Sequence, residues 1–196
     1  MSTKFAPQTE AVDEVDTQQA TPMDRRGFLR GAAALVVAGG GLAAATAQPA
    51  GAWSFNPGSY VTPLTRAYPV TQWYGSGTYS HRSGENAKAI DIGSGSGKPV
   101  YAPKDGVIAF EGWEGVGGIV CRINHADGLQ TIFAHLSQTV VDTGWRVYGN
   151  RTLIGYTGAT GSVTAAHLHW ALKIQGTSTA IALDSIPGVT RWTIYP

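Results

Sequence analysis

Short stretches of alternating hydrophobic and polar residues, separated by Gly, Pro and Asp, run along the chain from about residue 70 onward. This pattern is typical of β-strands joined by tight turns, and no helical period of comparable length competes with it. The sequence therefore predicts an all-β domain built as a single antiparallel sheet or sandwich. The predicted strands cover residues 89–92, 99–102, 106–113, 118–125, 129–136, 152–156 and 167–174, and Asp127-Gly128 is a predicted hairpin turn.

Side-chain alternation places three histidines on the faces of two predicted strands. In the last strand His167 and His169 point one way, and Leu168 points the other way and can be buried. The same rule puts the odd-numbered residues of strand 129–136, His135 and Phe133 among them, on one face and the even-numbered residues on the other. If the two strands are neighbours, three imidazoles can face one groove.

A groove of this kind suits zinc, because imidazole and carboxylate groups are good zinc ligands and a hydrolytic site uses three protein ligands plus water. A lone His-x-His pair is more often structural than metal-binding. The five residues His81, Asp91, His135, His167 and His169 together favour a metal site more strongly than the pair alone. They predict one catalytic zinc ion in a site formed from this set.

Composition narrows the class of protein. Residues 53–196 contain 10 Lys and Arg and 8 Asp and Glu, a balance that gives no reason to expect a nucleic-acid partner. The only cysteine, Cys121, cannot form an intramolecular disulfide and is expected to be a buried strand residue, although a reactive thiol is an alternative. The length suits one domain, and we expect a monomer without internal repeats.

The N-terminal residues have the pattern of an export signal. Residues 24–30, Asp-Arg-Arg-Gly-Phe-Leu-Arg, precede an uncharged Gly/Ala-rich run over residues 31–47. This combination indicates a twin-arginine signal, and the run is short and weakly hydrophobic for a membrane span, which needs roughly 20 apolar residues. Cleavage is expected before Trp53 or after residue 47. The sequence thus predicts an export signal with a disordered extension over residues 1–52 and a mature domain over residues 53–196; a permanent anchor is the alternative.

Several motifs occur in an order that resembles the lysostaphin-type zinc endopeptidase domain. The matching segments are residues 80–81, 89–93, 98–108, 124–128, 131–136, 155–162 and 166–170. The resemblance covers roughly residues 70 to 175. It implies an antiparallel sheet, with the duplicated hybrid motif of that family, whose zinc-bearing groove cleaves peptide bonds in peptidoglycan stems or cross-bridges.

The same resemblance implies a role for each site residue. His81, Asp91 and His169 would bind zinc, while His135 and His167 would flank the metal without binding it. One flanking imidazole would accept a proton from the attacking water, and the other would stabilise the oxyanion on the scissile carbonyl. The division of these roles between the two histidines stays open.

The spacing of the first two ligands differs from the common pattern of the family. Ten positions separate His81 from Asp91, which is similar to the β-lytic branch and indicates a loop inserted between the ligands. Residues 82–88 are polar and contain glycine, so they can bulge outward without moving either end far. Residues 170–195 also resemble that branch, which commonly carries disulfides that this chain lacks.

These features predict a zinc metalloendopeptidase that is secreted or associated with the cell wall, acts on peptidoglycan peptides and has no stable membrane association after cleavage. The main alternative is a catalytically inactive wall-binding or hydrolase-regulating module of the same fold. A biotinyl- or lipoyl-type carrier is disfavoured, since no hairpin lysine motif is present. Tyr74, Tyr79 and Trp113 are candidate substrate contacts, and His125 is expected to be structural.

Overall fold

A computed structural model describes residues 55–76 and 81–196 of the 196-residue chain. The predicted export signal, residues 1–52, lies outside the described residues, as does Tyr79. Within the described ranges, three short 3-10 turns lie at Pro57–Ser59, Gly84–Asn86 and Gly115–Gly117. No helix there combines the length and the apolar character needed to cross a membrane.

Strands dominate the described part of the chain, and every strand pairing in it is antiparallel. The prediction of an antiparallel all-β fold is confirmed. The strands are β1 (Tyr68–Gln72), β2 (Ile90–Ile92), β3 (Pro99–Tyr101), β4 (Gly106–Trp113), β5 (Ile119–Asn124), β6 (Leu129–Thr139), β7 (Arg146–Val147), β8 (Leu153–Thr157), β9 (Leu168–Ile174), β10 (Ala180–Ile181) and β11 (Thr193–Ile194).

These strands form one sheet in the order β11-β1-β2-β9-β6-β5-β4-β7, with β10 paired to β9 and β8 paired to both β3 and β6. All seven predicted strands are present, with ends shifted by three residues or fewer. The sequence did not predict β7, β10 and β11, because two residues are too few to show an alternation. It also missed β1, whose pattern is interrupted by Pro69.

The two faces of the central strands carry different residues. The main core lies on one face and includes Cys121, Phe133 and Trp170, of which Cys121 is fully buried as predicted. The opposite face carries a smaller cluster of mostly short side chains, comprising Ala89, Val120, Ile132, Ala134 and Ala171. His169 projects from β9 on this second face, which we call the groove face. Short side chains there leave room for a ligand above the sheet.

The alternation along β6 breaks at His135, whose backbone has φ 62°. Cys121 pairs with Phe133 but Ile119 pairs with Leu136, so β6 carries one extra residue at this point, which is a β-bulge. Leu136 therefore joins the core, and His135 turns to the groove face. The prediction that His135 shares a face with Phe133 and opposes Leu136 is wrong, because the bulge shifts the period by one residue.

The turn between β4 and β5 packs against Thr160, whose backbone carbonyl accepts a hydrogen bond from His135. Gly118 has φ 66°, and a Cβ there would lie 2.3 Å from the carbonyl carbon of Thr160. The Ile119 N–H donates to Thr160 Oγ1 at 2.9 Å, and Thr160 Oγ1 donates to the Leu136 carbonyl at 2.6 Å. Only glycine at position 118 allows both the left-handed backbone and this close approach.

Replacing Gly118 by alanine should therefore lower the free energy of unfolding by roughly 2–4 kcal/mol, from left-handed strain plus overpacking. Gly115→Ala is a matched control in the same turn: its φ is 50°, but its Cβ would meet no atom within 4 Å. We expect a loss of only about 1–2 kcal/mol for the control, from strain alone. Urea denaturation measures both variants, and equal losses would contradict the close approach.

Candidate metal centre and flanking histidines

Three of the predicted site residues converge at one end of the groove face. The pairing of β2 with β9 sets Asp91 opposite His169, and His81 reaches the same place from the start of the inserted loop. His81 Nε2 lies 3.2 Å from Asp91 Oδ1 and 3.3 Å from His169 Nδ1. His169 Nδ1 is 2.9 Å from Asp91 Oδ1, and all three residues are buried.

These three atoms fit the requirements of a zinc ion. Ligands held about 2.0–2.1 Å from a tetrahedral zinc lie roughly 3.3 Å from one another, close to the separations of 2.9–3.3 Å between these donors. Two imidazole nitrogens and one carboxylate oxygen are a donor set that zinc accepts in hydrolytic sites. The group His81, Asp91 and His169 can therefore hold a metal ion.

The electrostatics of the cluster keep its carboxylate ionised. Burial on its own would raise the pKa of Asp91, but hydrogen bonds and charge from His169 and His81 outweigh it and hold the pKa well below its usual range. Asp91 is consequently a carboxylate at neutral pH, the form in which it can bind a cation.

His135 and His167 lie beside this cluster, with 4.8 Å between their ring centroids. His167 Nε2 is 3.6 Å from Asp91 Oδ1, and the His135 ring is 5.9 Å from that of His169. The structure thus brings all five predicted site residues together.

Backbone carbonyls orient the two flanking rings. His135 Nδ1 donates to the carbonyl of Thr160 at 3.0 Å, and His167 Nδ1 donates to that of Ala165 at 2.9 Å. Because a carbonyl oxygen only accepts, each ring carries a proton on Nδ1 and leaves Nε2 as the free acceptor when neutral. Burial, reinforced by the neighbouring His167 and His169, lowers the pKa of His135, so this ring is neutral at neutral pH and can accept a proton.

One residue of the site was not predicted from the sequence. Asn86 Oδ1 lies 3.1 Å from His169 Nε2, on the side of the ring away from Asp91. Asn86 belongs to the loop between the first two predicted ligands, which was expected only to bulge outward. An amide side chain within an insertion between two metal ligands is the signal that could have indicated it.

Other residues singled out in the sequence lie elsewhere. His125 is buried, with Nδ1 2.9 Å from the Asp105 carbonyl and Nε2 2.8 Å from Thr131 Oγ1, so it has the structural role expected of it. Tyr74 donates its hydroxyl to Asp184, and Trp113 is 65% exposed at the end of β4. Their contact with substrate stays a prediction.

Comparison with known proteins matches residues 85–181 to the model of peptidase family M23. A DD-carboxypeptidase/endopeptidase, Mpg, of Neisseria meningitidis serogroup B is 42% identical over 87 residues, which are 44% of this chain and 20% of the relative. The peptidoglycan DD-endopeptidase ShyC of Vibrio cholerae is 36% identical over 80 residues, 41% of this chain and 18% of the relative. The chain thus spans about a fifth of the length of these relatives.

The fold agrees with the family. The crystal structure of a zinc-containing peptidase from Vibrio cholerae superposes with a TM-score of 0.54 at 22% identity, over 63% of this chain and 38% of that one. The family match begins at residue 85, so His81 lies outside it. Its contacts with Asp91 and His169 place His81 beside the matched region. The chain therefore carries a domain of peptidase family M23, the lysostaphin-type family that its motifs resemble.

Proposed function

We propose that this protein is a zinc-dependent endopeptidase that hydrolyses peptide bonds in the stem peptides or cross-bridges of bacterial peptidoglycan. The observation that carries the proposal is the convergence of His81 Nε2, Asp91 Oδ1 and His169 Nδ1 next to the two flanking imidazoles. The names of the Neisseria and Vibrio relatives, an endopeptidase and a peptidoglycan endopeptidase, support the class of substrate.

Each residue has a defined task in such a reaction. Zinc, when bound by His81, Asp91 and His169, supplies the Lewis acidity that activates water and polarises a peptide carbonyl. The Nε2 atom of one flanking histidine accepts the proton of the attacking water. The other flanking histidine, in its protonated form, donates a hydrogen bond to the oxyanion. The carbonyls of Thr160 and Ala165 keep both Nε2 atoms available for these tasks.

The proposal is tested by incubating the purified protein with peptidoglycan and counting new amino termini and new reducing sugar ends. We expect amino termini to increase and reducing ends to stay constant, because the bond cleaved is a peptide bond. Treatment with 1,10-phenanthroline should stop the release, and zinc should restore it. The isomer 1,7-phenanthroline, which does not chelate, is the control for non-specific inhibition.

A variant with His135→Asn and His167→Ala controls for contaminating hydrolases, since it should hold zinc and release nothing. A wild-type protein that is folded and holds zinc, yet releases no termini from walls of several compositions, would refute the enzymatic proposal. That result would favour the inactive wall-binding or regulatory module.

We further propose that the protein is exported by the twin-arginine route and acts outside the cytoplasm. The support lies in the sequence alone: the Arg25-Arg26 pair, the uncharged run over residues 31–47 and the small residues before Trp53. Fractionation of producing cells tests this proposal. A processed chain beginning near Trp53 in the wall or medium agrees with it, whereas a full-length chain confined to the cytoplasm contradicts it.

A further inference from the structure

The loop inserted between His81 and Asp91 is fixed to the groove face of the sheet by one carboxylate. Glu85 accepts two hydrogen bonds from the Arg122 guanidinium of β5, at 2.7 and 3.1 Å, and pairs with Lys173 of β9 at 2.6 Å. Arg122 and Lys173 reach Glu85 from two different strands. A two-oxygen contact with arginine is geometrically specific, so Glu85 defines the position of the loop above the sheet.

This anchor persists over the whole neutral range of pH. The hydrogen bonds from Arg122, together with those from Lys173, outweigh the effect of burial and lower the pKa of Glu85 to about 2. A depressed pKa means that the interaction is fully present above the usual carboxyl range and is lost only as the pH falls toward 2. Glu85 therefore stays ionised wherever the enzyme is expected to work.

Asn86 follows Glu85 directly in the turn Gly84–Asn86 and reaches the third predicted metal ligand. Its Oδ1 lies 3.1 Å from His169 Nε2, while His169 Nδ1 faces Asp91 Oδ1 and His81 Nε2. An amide oxygen only accepts, so this contact holds a proton on His169 Nε2. When zinc is bound, Nδ1 is then the ring nitrogen that supplies the lone pair.

We propose that Asn86 is a positioning residue that selects Nδ1 of His169 as the metal-binding atom, and that Glu85 anchors the inserted turn that presents Asn86. The inserted loop thus completes the metal site in addition to joining two of its ligands. This inference rests on the proposed zinc site. Partners that hydrogen-bond a metal-binding histidine from behind fix its tautomer and orientation, and their loss typically costs about 10–100-fold in metal affinity.

The experiment uses the metal-depleted full chain and measures zinc affinity by competition with a chromophoric chelator. Asn86→Leu removes the acceptor at similar size and should weaken zinc binding by about 10–100-fold. Asn86→Asp keeps an acceptor and should stay within a few-fold of the wild type. Asn124→Leu is the matched control, since Asn124 Oδ1 accepts from Gln130, a residue outside the predicted metal site; its zinc affinity should be unchanged.

Two further readouts depend neither on catalytic activity nor on Asn86→Leu folding well. Proton–nitrogen correlation NMR of the zinc-loaded wild type should show the His169 ring proton on Nε2 and none on Nδ1, and the reverse pattern would overturn the inference. Glu85→Gln, which weakens the anchor without touching His169, should also lower zinc affinity, though by less than Asn86→Leu.

The outcomes separate the two proposals. A wild type that binds no zinc would overturn both the zinc site and this inference. Equal zinc affinities of the wild type, Asn86→Leu and Asn124→Leu would overturn the role of Asn86 and leave the proposed function intact. Weaker binding in Asn86→Leu together with retained binding in Asn86→Asp would support the inference.

Discussion

Replacing His169 by alanine is expected to remove both zinc and peptidase activity. His169 Nδ1 lies 2.9 Å from Asp91 Oδ1 and 3.3 Å from His81 Nε2, so it closes the three-atom set. Two remaining ligands are one short of the three that hydrolytic zinc sites use. Loss of a residue that only hydrogen-bonds a metal ligand can lower metal affinity by roughly 100-fold, and loss of the ligand itself should lower zinc affinity by more. Amino-terminus release should fall below detection.

Zinc content after gel filtration measures this directly, with about one ion per chain expected for the wild type. Thermal unfolding provides a second readout, because a ligand at 100 times its Kd stabilises the folded state by about 2.7 kcal/mol. The melting temperature of the wild type should rise on zinc addition, and that of His169→Ala should not. An unchanged zinc content in the variant would show that the ligand set is wrong.

Replacing His135 by asparagine should preserve zinc binding and lower turnover by roughly 10²–10⁴-fold, the range of a general acid or base. His135 lies beside the predicted ligands, 5.9 Å from the His169 ring, and it is not among the converging metal-binding atoms. Asparagine is a better replacement than alanine, because it tolerates the left-handed backbone at φ 62°. The loss of activity then reports on the imidazole and not on strain in the bulge.

Zinc content, the cobalt-substituted absorption spectrum and the rate of amino-terminus release should be measured on the same sample. His169→Ala serves as the comparison: it should lose the metal, whereas His135→Asn should keep the metal and lose the rate. Full activity of His135→Asn would exclude a catalytic role for this histidine. Loss of zinc from His135→Asn would instead show that His135 is part of the metal site.

The sequence predicted the strands of the sheet because their residues alternate between a core face and a polar face. Leu168 and Trp170 of β9 are buried on the core side, and His169 lies opposite, as the period of two requires. The same rule failed at His135, since a bulge adds one residue and exchanges the faces. Local composition around His135 contains no glycine or proline to signal this change.

Long-range contacts explain the rest of what the sequence did not predict. Glu85 meets Arg122 and Lys173, which lie 37 and 88 residues away along the chain, so no local pattern relates them. Asn86 reaches His169 across 83 residues of sequence, with Oδ1 3.1 Å from Nε2. The ten-residue spacing between His81 and Asp91 indicated an insertion, but its contribution to the site depends on these three-dimensional contacts.

The most direct test of the zinc-dependent peptidase is a titration of the metal-depleted protein with zinc, in which bound metal and released amino termini are measured together. We predict that release rises in proportion to bound zinc and saturates at about one ion per chain. Release that proceeds unchanged without metal would contradict zinc-dependent catalysis. A fully loaded protein that opens no peptide bond in peptidoglycan of any cross-bridge type would contradict the peptidase activity.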